Sequence, residues 1–264
     1  MKKYRFLILR RLLQIGLLVL FAGANWWGWW FLMGNYSSAY VFESFYLTDP
    51  HAVIQTFATG VLLSADAIIG AVIVLVFYGL IAGRSFCSWV CPLNMITDLA
   101  TWMRKNWKIT DENKYFQFSR KTRYWVLGLG ILLSAIIGLA AFEMVNPITI
   151  FHRGVIFGFG IGWTVILALF LFDLLVVEYG WCGHLCPLGA FYSVVGRFAL
   201  IKVRHDAEKC TMCMKCFGVC HEEQVLDIVG EKSGFIKGEC SNCGRCIEVC
   251  EDNALNFNLY NYKN

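Results

Sequence analysis

Eight cysteines in the last quarter of the chain do most to limit what it can become. Cys210, Cys213, Cys216 and Cys220 follow the spacing C-x2-C-x2-C-x3-C, and Cys240, Cys243, Cys246 and Cys250 repeat it. Three thiolates in one short loop reach three corners of a 4Fe-4S cubane, while the fourth, three residues on, points toward a second cluster. Crossed ligation is therefore expected: Cys210, Cys213, Cys216 and Cys250 on one cluster, and Cys240, Cys243, Cys246 and Cys220 on the other. Structural zinc fits poorly, because zinc sites usually present two separated C-x2-C pairs rather than four cysteines in a run.

Residues 205–258 resemble the bacterial two-cluster ferredoxin fold. The proline that usually follows the fourth cysteine is replaced by His221 in one repeat and Glu251 in the other. Since that proline shapes a turn, the substitution is read as conformational and not as a new ligand. Gly218 and Gly244 allow close backbone approach, and amides near sulfur tune the potential. Such a domain moves electrons and offers no substrate pocket of its own.

The rest of the chain demands a different solvent. Of 264 residues, 58% are hydrophobic and only 16% charged, with a mean hydropathy of +0.55. The apolar residues gather into runs that can cross ~30 Å of hydrocarbon. Four spans are expected, at roughly 12–33, 61–82, 124–142 and 155–178. The first begins like a signal peptide, with Arg10-Arg11 and then Ala22-Gly23-Ala24. Its apolar run continues through Trp26, Trp27, Trp29, Trp30, Phe31 and Leu32, which is longer than a signal's core and reads as a span with an aromatic belt.

Positive charge orients these spans. Five Lys or Arg precede the first (Lys2, Lys3, Arg5, Arg10, Arg11), none lies between Gly34 and Gly60, and eight lie between Arg84 and Arg123. Arg153 alone lies between the third and fourth spans, and nine follow the fourth. Lys and Arg stay on the cytoplasmic side, so the expected placement is a multi-pass protein of the bacterial inner (cytoplasmic) membrane with both termini cytoplasmic. The net charge of +4 is then a topology and lipid-contact signal, not a nucleic-acid one. The expected domains are residues 1–204 in the membrane and a cytoplasmic ferredoxin domain at 205–264.

The other four cysteines form an internal repeat. Cys87-Ser88-Trp89-Val90-Cys91-Pro92 follows the second span, and Cys182-Gly183-His184-Leu185-Cys186-Pro187 follows the fourth. The fold class is thus a membrane all-α part of four transmembrane helices in two tandem two-helix repeats, each ending in C-x3-C-P, plus a C-terminal α+β two-cluster ferredoxin domain. With two spans per half, the repeats are parallel. Proline after each second cysteine suits the first turn of a helix, where the dipole favours a thiolate. Both new helices read as amphipathic and interfacial, with Leu93, Ile96, Ala100, Met103 and Trp107 in one and Leu188, Phe191, Val195 and Phe198 in the other. Cys87, Cys91, Cys182 and Cys186 are expected either to surround a third redox or metal centre, an additional iron site or a redox-active dithiol, or to meet a partner. Cytoplasmic placement argues against structural disulfides.

This combination resembles the NapH family, the membrane quinol dehydrogenase components of periplasmic nitrate reductase systems. The resemblance runs through Gly34-Asn35-Tyr36-Ser37-Ser38, Leu47-Thr48-Asp49-Pro50, Phe86 to Asn94, Asn146-Pro147, Ala168 to Pro187 and both ferredoxin repeats. MauN, NosR-like regulators and CcoG-type assembly proteins share the two C-x3-C-P motifs and the ferredoxin. The resemblance implies oxidation of menaquinol or ubiquinol from the quinone pool, with two 4Fe-4S clusters as cofactors. Electrons would pass toward a periplasmic nitrate reductase through a NapG-like iron-sulfur protein and a NapC-type cytochrome. The alternative is an assembly, maturation or redox-sensing factor of NosR-like or CcoG type. Charge asymmetry puts the clusters inside and the reductase lies outside, so electrons cross the bilayer or the clusters serve another purpose.

Quinol oxidation releases two protons and needs hydrogen-bonding or ionisable groups. Asp173 lies nine residues before Cys182, roughly 13 Å along a continuous helix, hence near mid-membrane, where a carboxylate is costly and functional by default. His152 and Arg153, with Glu143 and Asn146, crowd the short outer loop between the third and fourth spans and are expected to bond a quinone head. Asp66 and Glu178 read as interfacial, and His184 as a residue that tunes a centre or lines an interface. No phosphate-cradling loop, Ser-His-Asp arrangement or zinc-protease motif supports hydrolase or nucleotide chemistry.

Overall fold

A computed structural model describes residues 4–109, 119–158 and 160–260. Lys2, Lys3, Lys114 and Lys263, which enter the charge count, and residue 159 of the fourth expected span lie outside the described residues. Helix α1 (Arg5–Trp27) is followed by a meander of β1 (Leu32–Gly34), β2 (Ser38–Val41) and β3 (Phe45–Thr48), antiparallel with Ser38 opposite Thr48. Helices α2 (Pro50–Ala58), α3 (Ala65–Val76), α4 (Leu93–Asn106), α5 (Thr122–Ile137), α6 (Ala141–Val145), α7 (Pro147–Phe157), α8 (Gly162–Leu175) and α9 (Pro187–Val195) come next. The chain closes with β4 (Ile201–His205), β5 (Gly234–Phe235), α10 (Arg245–Val249) and β6 (Leu255–Leu259), in an antiparallel sheet of order β5-β4-β6.

Local chemistry sets the boundaries. Asp49 caps α2 by accepting from the His51 amide, and Asn146 caps α7 by accepting from that of Ile148; each is followed by a proline that opens its helix. Helix α3 runs on in π-helical form to Ala82, and the first cysteine of each C-x3-C motif lies on a further π-helical turn, Phe86–Val90 and Gly180–Leu185, which the second cysteine follows directly. Such turns are rare and concentrate at functional sites. At Gly70 of α3 a Cβ would stand 2.1 Å from the Tyr46 carbonyl oxygen, so glycine there lets β3 lie directly on the helix.

The chain forms two compact units. The first comprises Met1–Gln14, Val76–Val90 and Tyr192–Asn264, and the second Ile15–Leu75 and Cys91–Phe191. In the first, Val203, Val225, Leu226, Val229, Ile236 and Leu255 pack with Cys216 and Cys246. Segments from before residue 205 belong to this body. Phe6 meets Phe257 and Trp89 edge-on, Ser88 Oγ donates to the Ser241 carbonyl at 2.7 Å and Trp89 Nε1 to that of Asn242 at 2.9 Å.

The second unit buries polar side chains within its apolar core and exposes large apolar ones. His51, Gln55, Arg104, Ser134, Asn146 and Asp173 are buried, while Trp125 and Ile136 are more than 70% exposed. Gln55 Oε1 accepts from the Phe142 amide at 3.1 Å, and Arg104 donates to the Leu174 carbonyl at 2.7 Å. An apolar exterior over a polar, hydrogen-bonded interior suits a bilayer. The buried stripe of α4 contains Leu93, Thr97, Ala100, Thr101 and Arg104, so Trp107, expected on the apolar side, is exposed; polar partners inside the unit draw the helix round.

Among the described residues two helices are long and apolar enough to cross a membrane, Arg5–Trp27 and Ala65–Ala82, and shorter apolar helices lie at Thr122–Ile137 and Gly162–Leu175. The first expected span ends early, because Gly28 takes φ 70° and stops the helix before the remaining tryptophans. The fourth, expected to run unbroken over 155–178, is broken: α7 ends at Phe157, Gly158 and Gly160 have φ of 90° and 44°, and helix resumes only at Gly162. Hydropathy is blind to this, since the break is made by glycine backbone and not by polarity.

Candidate metal centres

Two small cavities in the first unit are each lined by four cysteines. One holds Cys220, Cys240, Cys243 and Cys246 against Val203, Val225, Leu226 and Ile236. The other holds Cys210, Cys213, Cys216 and Cys250 beside Met212, Met214 and Leu255. Each set is the one the crossed spacing assigns to a single cluster. The loops curl because Met212, Met214 and Asn242 adopt left-handed backbone at φ 55°, 56° and 51°, as does Gly244 at 75°. Helix α10 then carries Cys246 on its first turn and leads to Cys250, which lines the opposite cavity.

The donors fit an iron-sulfur cluster. All twelve cysteines are free thiols. Burial, and then the neighbouring Cys243, push the Cys240 thiol up to about 12; burial and the Cys243, Cys240 and Cys220 thiols push Cys246 up as well. Thiols that repel one another's charge become thiolates together only around a bound metal cation, as the iron of a cluster supplies. Burial also opposes ionisation of Cys243, but a hydrogen bond from His221 and the charge of Arg10 outweigh it and bring that thiol down to about 7. The imidazole where proline is usual thus reaches a cysteine of the other repeat, a contact the turn reading of His221 does not foresee. Cys250 Sγ accepts from the Ala254 amide at 3.3 Å.

Arg84, three residues before Cys87, is buried in this unit. Its Nη1 donates to Glu222 Oε1 at 2.5 Å and to the Glu239 carbonyl at 3.1 Å, and its side chain also bonds Cys87. Glu222 and Cys240 both line the first of these cavities. One guanidinium therefore joins the wall of a four-cysteine cavity to the first cysteine of a C-x3-C-P motif.

In the second unit Cys91, Cys182 and Cys186 come together. Burial, then the charges of Cys186, Asp173 and Cys91, push the Cys182 thiol well up, and its Sγ lies 3.6 Å from Thr97 Oγ1. The Gly189 amide donates to Cys186 Sγ at 3.4 Å, so this thiol caps the N-terminus of α9.

Residues 63–110 and 155–204 each match a family model described as a 4Fe-4S binding domain, and residues 202–251 match a 4Fe-4S dicluster domain. The ferredoxin-type protein NapH of Escherichia coli is 46% identical over 96% of this chain and 89% of its own length. The chain belongs to the NapH/MauN family of ferredoxin-type proteins. NapH of Haemophilus influenzae is 41% identical over 96% of the chain and 89% of its own length, and the methylamine utilization ferredoxin-type protein MauN of Methylorubrum extorquens 40% over 98% and 91%. No solved structure matches the chain.

The remaining candidates of this NapH/MauN-family chain are distributed unequally. Asp173 is buried in the last turn of α8, not at mid-helix; the chain reverses through Tyr179 at φ 52°, and Asp173 Oδ1 accepts from the Trp181 amide at 2.9 Å. His152 is buried but Arg153 is exposed, so the expected pair faces two environments. Glu143 accepts from Ser37 Oγ at 2.8 Å and Asn146 Nδ2 at 3.1 Å. Glu178 pairs with Lys105 at 2.9 Å. Asp49, His51 and Glu143 each bring one ligand-type atom within 4.8 Å of the others, a grouping that sequence reasoning overlooked because His51 sits two residues from a helix cap.

Proposed function

We propose that this protein is a membrane-bound quinol dehydrogenase subunit that takes electrons from menaquinol or ubiquinol. It passes them toward a periplasmic nitrate reductase through a NapG-like iron-sulfur protein, with a NapC-type cytochrome as a further partner. The observation that carries this reading is the joining, through Arg84, of a four-cysteine cavity to the C-x3-C-P motif at the end of an apolar helix. That connection supports electron movement between the membrane part and the ferredoxin part, since two-cluster ferredoxins carry electrons one at a time.

The chain crosses the inner membrane four times, as residues 1–204, with both termini and the ferredoxin domain at 205–264 in the cytoplasm. The distribution of Lys and Arg supports this placement. Cys210, Cys213, Cys216 and Cys250 hold one 4Fe-4S cluster, and Cys220, Cys240, Cys243 and Cys246 the other. Cys91, Cys182 and Cys186 contribute to an additional iron or dithiol centre. Asp173 accepts or relays a quinol proton, and His152 contacts the head group. The exposure of Arg153 leaves it a role at the surface.

Anaerobic mixing of the purified protein with menaquinol, followed by EPR, tests the reading: prompt appearance of reduced clusters supports it, and none sinks it. Iron analysis adds a second check, since about eight irons fill the two ferredoxin sites and a higher count requires the C-x3-C-P cysteines. A second reading draws on MauN, whose name ties a protein 40% identical over 98% of the chain to methylamine utilization. On that reading the chain supplies electrons for maturation or sensing of a periplasmic metalloenzyme, and menaquinol leaves the clusters oxidised.

A further inference from the structure

Three polar groups buried in the second unit have no hydrogen-bond partner among the described residues: the Tyr36 hydroxyl, the Thr149 hydroxyl and both ring nitrogens of His152. His152 is only 2% exposed. Its ring meets that of Tyr36 edge-on at 5.4 Å and that of Phe21 edge-on at 5.0 Å, and the Phe21 and Tyr36 rings stand 5.2 Å apart. Thr149 precedes His152 by three residues on α7, which makes them neighbours on the helix surface. Phe21, Ala22 and Ile156 form the apolar ground of the group.

Buried polar groups in native proteins are satisfied, and each that lacks a protein partner calls for a specific explanation. The rings of Phe21, Tyr36 and His152 meet at steep angles, an apolar aromatic surround from which unpaired hydroxyl and imidazole groups are offered. Small-molecule sites are built this way, mostly apolar with a few placed polar groups. A quinone head is the complementary shape: a planar ring with oxygen atoms at its rim.

We infer that Tyr36, Thr149 and His152 form the head-group site for a quinone or quinol, with Phe21 as its apolar wall. The inference rests on the quinol-oxidising reading above and adds the residues that hold the head. The phenol of Tyr36 donates to a quinone oxygen. A ring nitrogen of His152 accepts from a quinol hydroxyl, which requires a neutral imidazole, and burial supplies one by lowering its pKa to about 4. Tyr36 also lies within electrostatic reach of Cys91, a cysteine of the first C-x3-C-P motif.

The test is saturable binding of menadione to the full-length protein in lipid nanodiscs, measured by equilibrium dialysis. Tyr36→Phe and Thr149→Val each raise Kd by about 3- to 10-fold, as loss of one hydrogen bond does. His152→Ala raises it by more than about 10-fold, and His152→Gln restores part of the loss. Iron content and the dithionite-reduced EPR spectrum stay at wild-type values. Unaltered Kd in Tyr36→Phe and His152→Ala protein of full iron content overturns the site, as does wild-type protein that binds no menadione. If His152→Ala loses its iron, the two isosteric variants decide. Wild type that binds menadione through these residues but is not reduced by menadiol keeps the site and overturns the quinol-oxidising reading; reduction that no variant slows, with unaltered Kd, overturns the site alone.

Discussion

Arg84 and Glu222 form an ion pair of 2.5 Å in which both side chains are 1% exposed. They are 138 residues apart in sequence, and the pair ties a turn beside Cys87 to the loop after Cys220. Removing one member of a buried pair strands the other's charge, at a cost of about 3–5 kcal/mol. Arg84→Met should therefore lower thermal stability and release iron on mild heating. The double variant Arg84→Met, Glu222→Met should recover most of the loss, because matched apolar replacement leaves no buried charge. The charge of Arg84 also reaches Cys240, so where Arg84→Met folds, the midpoint potential of the cluster at that cavity should fall. A redox titration followed by EPR reads this directly.

Crossed ligation makes a prediction that simple segmental ligation does not. Cys250 lines the cavity of Cys210, Cys213 and Cys216, and Cys220 that of Cys240, Cys243 and Cys246. Cys250→Ser should therefore leave an EPR spectrum like that of Cys213→Ser, and Cys220→Ser one like that of Cys243→Ser. Each variant should lose about four of about eight irons. If Cys250→Ser instead matched Cys243→Ser, the clusters would be held by contiguous segments.

The eight ferredoxin cysteines were legible because thiolate spacing is itself the geometric constraint: residues three apart in a curled loop can reach one cubane. Helix caps were written locally as well, in Asp49-Pro50 and Asn146-Pro147. What sequence could not give was anything that depends on partners far away. Arg84 looked like one more orienting charge, and only folding brings Glu222 against it. Hydropathy counts side chains and so puts Asp173 deep in a continuous helix; the turn at Tyr179 and the breaks at Gly158 and Gly160 are backbone events that no apolar average registers. His221 was read as a missing proline, whereas its imidazole donates to Cys243.

Two buried imidazoles set an acid limit on stability. Burial lowers the pKa of both His51 and His152 to about 4, below the ~6.5 of an unfolded chain. The unfolded state therefore binds more protons between those values, so the stability each neutral ring supports is complete above pH ~6.5 and is lost as pH falls toward about 4. At pH 5 the loss is roughly 2 kcal/mol per histidine by linkage. Thermal unfolding of detergent-solubilised protein from pH 7.5 to 5 should show a falling midpoint. The combined His51→Gln and His152→Gln variant should show a flatter profile; an equally steep one would assign the acid sensitivity to other groups.

Asp173 separates a structural role from a proton-carrying one. Its Oδ1 holds the Trp181 amide, next to Cys182, while Oδ2 has no hydrogen-bond partner among the described residues. Asn at this position keeps the carbonyl oxygen that accepts from Trp181, so the π-helical turn should persist and dithionite should still reduce every cluster. The amide cannot take up a proton. General acid-base groups contribute roughly 100- to 10,000-fold, and quinol-dependent cluster reduction in Asp173→Asn should slow by about 100-fold or more. Wild-type rates in that variant would confine Asp173 to shaping the turn that carries Cys182, and the proton route would have to be sought at His152 and its neighbours.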